Sequence, residues 1–320
     1  MISRWNHGLG RLLWSRLLQA GLVAWLVGTL TFIITRTLPS DMAYRIAAGR
    51  YGHDMVDGAA AEAVRAELAL DQSGLGAYLG WLWDLVQFDL GRSLVSGRPV
   101  LEELSHQLGH SLSLAVVAVL LSLLIGPPLG LAAGRRPGGL LDRTSEVAAS
   151  VLRALPAFAV GLLLIMLFAV TLGWLPVAGH GGPLHTVLPA LTLALGLAAV
   201  SSRVARNAMA EVSQSAYYAF SHTKGLGPRR SFLRHGLRNA SVPVVAYLGV
   251  QFVYLIEGVV VVETLFAWPG IGRLMFEALQ QRDYNLLLGI FFFSAALVIV
   301  FNILTDLVYR LADPRIKGAS

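Results

Sequence analysis

The 320-residue chain has no cysteine and only two lysines. Without cysteine it forms no disulfide, thiolate metal site or iron–sulfur cluster of its own. A nucleoside-triphosphate cradle of the P-loop type needs a lysine followed by Ser or Thr after a glycine-rich turn. Lys224 and Lys317 are each followed by glycine, so the chain is not itself an ATPase. His-Glu-x-x-His, Gly-x-Ser-x-Gly and paired-carboxylate signatures are also missing, which removes the common hydrolase classes. Charge is scarce too: 14% of residues are charged and 55% hydrophobic, against about 25% and about 45–50% in soluble domains. With a mean hydropathy of +0.63, the chain reads as a polytopic membrane protein.

A helix crossing a bilayer needs about 20 mostly apolar residues. Runs of that kind fall at Leu17–Thr35 and Ser111–Gly134, and the charge-free stretch Ala154–Ser202 holds two spans joined by the turn-rich segment Pro176–Pro183. Ala240–Val262, interrupted only by Glu257, and Tyr284–Thr305 complete six spans. The expected fold is all-α, with both termini on one side. The N-terminal apolar stretch exceeds the 7–15 residues of a signal core and is read as a retained span.

Net charge is +6, which would ordinarily raise nucleic acid as a partner. The basic residues are instead sorted by side. Seventeen of 25 lie before the first span, between the second and third, between the fourth and fifth, or after the sixth, with five acids for company. That side is +12 and the other −5, and Glu257 within the fifth span brings the sum to +6. By the positive-inside rule the basic side, termini included, is cytoplasmic.

Three regions follow: residues 1–36, a cytoplasmic N-terminus with the first span; 37–110, a large external loop; and 111–320, a core of five spans with a basic cytoplasmic loop at 203–239. In the external loop Glu62–Leu70 reads as a short helix and Tyr78–Leu90 is rich in aromatics. In the basic loop, Met209, Val212, Ala216 and Phe220 fall on one face of a short amphipathic helix. Gly225 is positioned as its C-terminal cap, with His222 and Lys224 in the last turn. Pro228 prevents simple continuation, and a second helix over Arg229–Asn239 leads to the fifth span.

Tyr217-Tyr-Ala-Phe-Ser-His-Thr-Lys-Gly-Leu-Gly227, followed by Arg234-His-Gly-Leu-Arg-Asn239, resembles the "EAA" loop of permease subunits of dipeptide/oligopeptide/nickel-class ATP-binding cassette (ABC) importers. Ser221, Thr223 and Gly236 stand where that class commonly has alanine. Further matches run in order along the chain: Phe88-Asp-Leu-Gly-Arg-Ser93 with Gly97-Arg-Pro-Val100, Ile125-Gly-Pro-Pro-Leu-Gly130, Trp174-Leu-Pro176, Glu263-Thr-Leu-Phe-Ala-Trp-Pro-Gly-Ile-Gly272, Arg282-Asp-Tyr284 and Asp313-Pro-Arg315.

The resemblance implies a subunit of the bacterial inner membrane that pairs with a second homologous permease. One or two ABC ATPase subunits would bind the ATP and magnesium, this chain binding no cofactor and no metal. An external solute-binding protein would deliver small peptides. The coupling surface expected on that basis is Tyr217, Ser221, Thr223, Lys224, Gly225, Leu226, Gly227, His235, Arg238 and Asn239. The external gate or binding-protein side is expected at Glu257, Glu263, Phe266, Trp268, Pro269, Gly270, Gly272 and Asp283. Glu257 has two readings, cargo pathway or a water-facing span end. Cargo has an alternative in nickel or a metal chelate, for which His106 and His110, spaced i and i+4, were weighed together with His53, His180 and His185. A secondary transporter or channel acting alone would be expected to carry inverted repeats and mid-span charges, and neither is evident. Arg153 and Arg203 are expected at the cytoplasmic interface, with membrane lipid as a further partner. Pro127–Pro128 is expected to kink the second span.

Overall fold

A computed structural model of the chain describes residues 18–19, 21–30, 32–33, 42–52, 56–67, 74–87 and 89–312. The termini, His53, Phe88, Asp313–Arg315 and the side chain of Glu257 lie outside the described residues. The described chain is helical almost throughout, and its one β-bridge, Arg92 with Pro99, is isolated. Two compact units are formed, one from residues 1–109 and 270–300, the other from 110–269 and 301–320.

The first unit contains α1 (Gly21–Leu30), α2 (Met42–Tyr51), α3 (Gly58–Glu67), α4 (Gly74–Val86), the beginning of α5 (Val100–Gly134), α12 (Ile271–Gln281) and the first part of α13 (Tyr284–Ala312). The region expected as a large external loop is therefore mostly helix. Ala43, Ile46 and Ala47 of α2 pack on Ala61 and Val64 of α3. Phe32, Tyr78 and Trp81 form an aromatic cluster, and Trp25 Nε1 donates to the Tyr78 hydroxyl at 3.1 Å. Val100 and Leu104 bury against Ala278, Leu286, Leu287 and Ile290.

The helix α5 begins eleven residues before the apolar run at Ser111 and spans 35 residues, about 52 Å at 1.5 Å per residue. Glu102 and Glu103 in its first turn complement the helix dipole, which explains why the helix outruns its hydrophobic segment. It continues through Pro127 and Pro128 as one helix.

The second unit contains the rest of α5, then α6 (Leu140–Ala154), α7 (Ala157–Leu164) with a π-helical extension over Ile165–Thr171, α8 (Pro183–Gln214), α9 (Ala216–Thr223), α10 (Pro228–Ser231), a π-turn at Phe232–Gly236, and α11 (Leu237–Leu265). Among the described residues, α5 and α8 are single helices long and apolar enough to cross a membrane. The turn-rich segment ends where Pro183 enters the first turn of α8, a position suited to a residue with no N–H to donate. The third expected span is shorter than its apolar run because Pro156 starts α7 and the helix stops at Thr171.

Three glycines one turn apart, Gly126, Gly130 and Gly134, set the distance between α5 and α8. A Cβ on Gly130 would collide with the Ser202 carbonyl oxygen and stand 2.9 Å from Ala205 Cβ. On Gly126 it would reach Ala198 O at 2.8 Å, and on Gly134 Met209 Cβ at 2.8 Å. Facing them are the small residues Ala198, Ser201, Ser202 and Ala205, all buried. This is the small-residue packing that lets helix backbones approach in a membrane.

Candidate functional site

The basic loop folds as two short helices around a glycine. α8 ends at Ser215, whose extended backbone (φ −74, ψ 146) redirects the chain. α9 follows for eight residues, and its end is a Schellman motif: Gly225 is left-handed at φ 79, and the Leu226 N–H donates to Ser221 O at 3.2 Å. Glycine takes that conformation without the steric cost a Cβ brings. Gly227 then caps α10, with Pro228 at its first position. The π-turn at Phe232–Gly236 leads into α11 without a break.

Met209 and Val212 do not share a helix face with Ala216 and Phe220, because the bend at Ser215 separates the two pairs. Met209 and Val212 are buried on α8, whereas Phe220 is 57% exposed. The buried face of α9 is Tyr218 and Ser221, one turn apart. Tyr218 joins a cluster with Leu131, Ala205, Ala208, Met209, Val212, Ala240 and Val244. The Ser221 hydroxyl bonds Tyr218 O at 2.7 Å and the Ser231 hydroxyl at 3.0 Å. That pairing staples α9 to α10 across the glycine turn. Gly236 lies under the same cluster, where a Cβ would stand 3.2 Å from Phe232 and 3.3 Å from Met209 Cε. Arg135 closes the edge, its guanidinium 4.9 Å from the Phe232 ring centre.

The outer face is of opposite character. Tyr217, Phe220, Thr223, Lys224 and Gly225 are exposed, with Lys224 Nζ 4.8 Å from the centre of the Phe220 ring. Arg229, Arg230, Leu233, Arg234, Arg238 and Asn239 continue this surface, and Leu226 and Gly227 sit in the turn. His235 is half-buried. Of the ten expected coupling residues, Ser221 is the one fully buried. The loop thus presents an aromatic and basic face on a rigidly fastened base.

The residues expected on the external side divide between the two units. In the second, Glu263, Phe266 and Trp268 are buried. Ser111 Oγ donates to Glu263 Oε1 at 2.6 Å, Trp268 Nε1 donates to His110 O at 3.1 Å, and Gly179 N donates to Phe266 O at 2.8 Å. Pro269 ends this packed turn, half-buried. His110 and His180 rings meet edge to face at 4.6 Å beside Trp268. In the first unit, Asp283 caps α13, accepting from Leu286 N–H at 3.1 Å and from the Ser93 hydroxyl at 2.5 Å. Gly270 and Gly272, at the start of α12, are buried. These residues are bound into the packing of their own units.

One constellation was not anticipated. Asp142 of α6 is 2% exposed and receives Arg206 as a fork, Nε to Oδ1 at 2.8 Å and Nη2 to Oδ2 at 2.6 Å. Arg203 Nη2 adds a contact to Oδ1 at 3.2 Å, and Gly138 N–H donates to Oδ2 at 2.9 Å. The Arg206 hydrogen bonds hold the Asp142 carboxyl well below the usual carboxylate range, against the opposing effect of burial. Arg203, expected at the cytoplasmic interface, is part of this clamp. Its partner is 61 residues away, and no local pattern marks it.

The described residues form a helical core with long apolar helices and a glycine-capped basic loop, the setting of a membrane permease. The chain belongs to the family of binding-protein-dependent transport system inner membrane components, whose family model matches residues 126–318. It is the non-catalytic permease subunit of an ABC importer. The chain is 34% identical over 94% of its length to a probable peptide ABC transporter permease protein, y4tP, of Sinorhizobium fredii, covering 97% of that protein. It is 37% identical over 91% to the glutathione transport system permease protein GsiC of Pectobacterium atrosepticum and 36% identical to that of Escherichia coli K12, covering 94% of each. In fold it resembles the MetNI methionine ABC transporter in inward-facing conformations, with a TM-score of 0.58 at 18% identity over 67% of this chain and 98% of that one. An amino acid ABC transporter solved with histidines gives 0.52 at 17% over 65% and 94%.

Proposed function

We propose that this chain forms half of a translocation path for small peptides, glutathione-like tripeptides included, handed over by an extracytoplasmic solute-binding protein. The names of its relatives support that cargo class. In this reading six helices cross the bacterial inner membrane with both termini cytoplasmic, residues 37–110 stand outside, and 111–320 with a second homologous permease form the core. One or two ABC ATPase subunits bind ATP and magnesium, and no cofactor resides on this chain.

The observation that carries the mechanism is the contrast between the two faces of α9. Tyr218 and Ser221 fix the helix to α8, α10 and α11, while Tyr217, Phe220 and Lys224 project from it. A helix held in this way moves as a rigid body with the spans below it. Seated in a groove of an ATPase subunit, it transmits closure of the ATPase pair to the path, biasing an inward-open state toward an outward-open one. Glu263, Trp268 and Asp283 serve this motion indirectly, by keeping the external ends of their own units intact.

The test is reconstitution of the permease pair with its ATPase subunits and binding protein in proteoliposomes, with peptide, glutathione and nickel offered as cargo. ATP-dependent peptide uptake supports the reading. Nickel uptake without peptide uptake overturns the cargo, and uptake without any ATPase subunit overturns the class of mechanism.

A further inference from the structure

The helix α6 has three sides. Asp142, Ser145 and Ala149 are buried, and the Asp142 clamp ties this side to α8. Arg143, Glu146, Ser150 and Arg153 are exposed on a second, charged side. The third is an apolar arc of about 160° at 100° per residue, running from Ala154 round to Leu152 and including Leu140, Val147 and Val151, which are 80%, 63% and 53% exposed. Thr144 is the single polar residue within it, and its hydroxyl is satisfied internally by Leu140 O at 3.0 Å. Nothing on the arc calls for an outside hydrogen-bond partner.

The direction of α6 gives an independent constraint. Between Ala154 and Ala157 the chain axis turns through 107°. The helix that follows, from Ala157 to its π-helical end at Thr171, carries no polar side chain before that threonine, with Phe158, Leu163, Met166 and Val170 exposed along it. Helices that enter a bilayer run within about 40° of its normal. A helix turned by 107° from one that runs along the normal lies about 17° from the membrane plane. Its apolar arc continues into the lipid-facing side of α7, and exposed Arg136, Arg143 and Arg153 lie along it and at its end.

We propose that α6 is an interfacial helix whose apolar arc is sunk in the acyl boundary of the cytoplasmic leaflet, with Arg136, Arg143 and Arg153 holding anionic phospholipid headgroups. The charge distribution selects lipid as occupant: Arg143 borders the apolar arc, Arg136 precedes the helix and Arg153 lies in its last turn, while the arc holds no carboxylate, Asp142 is consumed by Arg206 and Arg203, and Glu146 stands on the charged side. Bilayer surfaces bind amphipathic helices through this combination. The consequence for transport is that α6 floats with the leaflet while Asp142 ties it to α8, the helix that leads directly into α9. The proposal rests on the side assignment given under Proposed function.

The natural absence of cysteine makes the test direct. Val147→Cys and Ser150→Cys are introduced singly, spin-labelled, and studied in the assembled transporter, with cysteine-free partner subunits, in phosphatidylethanolamine–phosphatidylglycerol vesicles. The label at 147 is expected to collide with oxygen several-fold more than with an aqueous nickel chelate, and the label at 150 to show the reverse. Bromine-labelled phosphatidylglycerol should quench a fluorophore at 147 more than bromine-labelled phosphatidylcholine. Arg143→Gln with Arg153→Gln should reduce that preference by up to about fivefold per arginine. A label at 147 shielded from both collision partners means that protein, a second permease or an ATPase subunit, covers the arc and overturns the proposal. Free access of the nickel chelate to 147 overturns it as well. A membrane-impermeant thiol reagent at 150 reports sidedness separately, so an error in topology is distinguishable from an error in depth.

Discussion

Replacing Asp142 with Asn tests whether α6 and α8 are held by charge or by shape. Asparagine keeps the volume and can accept one hydrogen bond from Arg206, but its amide presents N–H groups where Oδ2 now receives Arg206 Nη2 and Gly138 N–H. Two arginine side chains, 24% and 20% exposed, are left without a counter-charge. Removing one partner of a buried ion pair costs about 3–5 kcal/mol, and the residual solvation of the arginines reduces this to about 2–3 kcal/mol. At about 2.1 cal/mol/K per residue, or about 1.5 °C per kcal/mol for a chain of this length, the midpoint should fall by about 3–5 °C. The assay is thermal unfolding of the detergent-purified protein at pH 7, followed by size-exclusion chromatography, with exposed Arg143→Gln as the control. A midpoint within about 1 °C of the parent protein for Asp142→Asn would refute the electrostatic account of this junction.

The same clamp has a pH signature. Because the folded Asp142 carboxyl titrates below its unfolded value, its contribution is fully present above the ordinary carboxylate range and is lost as pH falls through the folded value. Between pH 8 and 5 Asp142→Asn should therefore lower the unfolding midpoint by a constant amount, and the gap should narrow only in stronger acid. Gly130→Ala forces a Cβ onto the Ser202 carbonyl and should destabilise by about 1–3 kcal/mol, whereas Gly196→Ala, which meets nothing within 4 Å, should be neutral or stabilising; unfolding midpoints of the pair decide it. Asp283→Ala removes the α13 cap and leaves the buried Ser93 hydroxyl without its acceptor, an expected loss of about 1–2 kcal/mol measurable in the same assay.

The helical character of the fold and two of its long apolar helices, α5 and α8, were legible in the sequence because membrane spans are written as long apolar runs. The Pro176–Pro183 break and the Gly225 cap were local, and both stand where residue chemistry puts them. What escaped was whatever depends on partners far along the chain. Asp142 reads as one acid among arginines until the fold brings Arg206 to it, 64 residues on. The periodicity of Met209, Val212, Ala216 and Phe220 runs smoothly through Ser215, so the backbone turn there, and with it the buried pair Tyr218 and Ser221, has no signal in it. Gly126, Gly130 and Gly134 carried a readable signal, four-residue spacing inside an apolar helix, but only the fold identifies α8 as the surface they meet. The Glu263–Gly272 segment was distinctive in sequence, and the part of it from Glu263 to Trp268 belongs largely to buried packing.

In the proposed mechanism the exposed face of α9 passes work from an ATPase to the path while its buried face holds the helix in place. Phe220→Ala removes a 57% exposed ring and leaves the Tyr218–Ser221–Ser231 anchor intact. ATP hydrolysis and peptide uptake measured together in proteoliposomes test the claim most directly. The account predicts a permease with an unchanged unfolding midpoint, uptake reduced at least about tenfold for a lost interface anchor, and ATP hydrolysis no longer stimulated by loaded binding protein. Full uptake and full stimulation by the Phe220→Ala permease would contradict it.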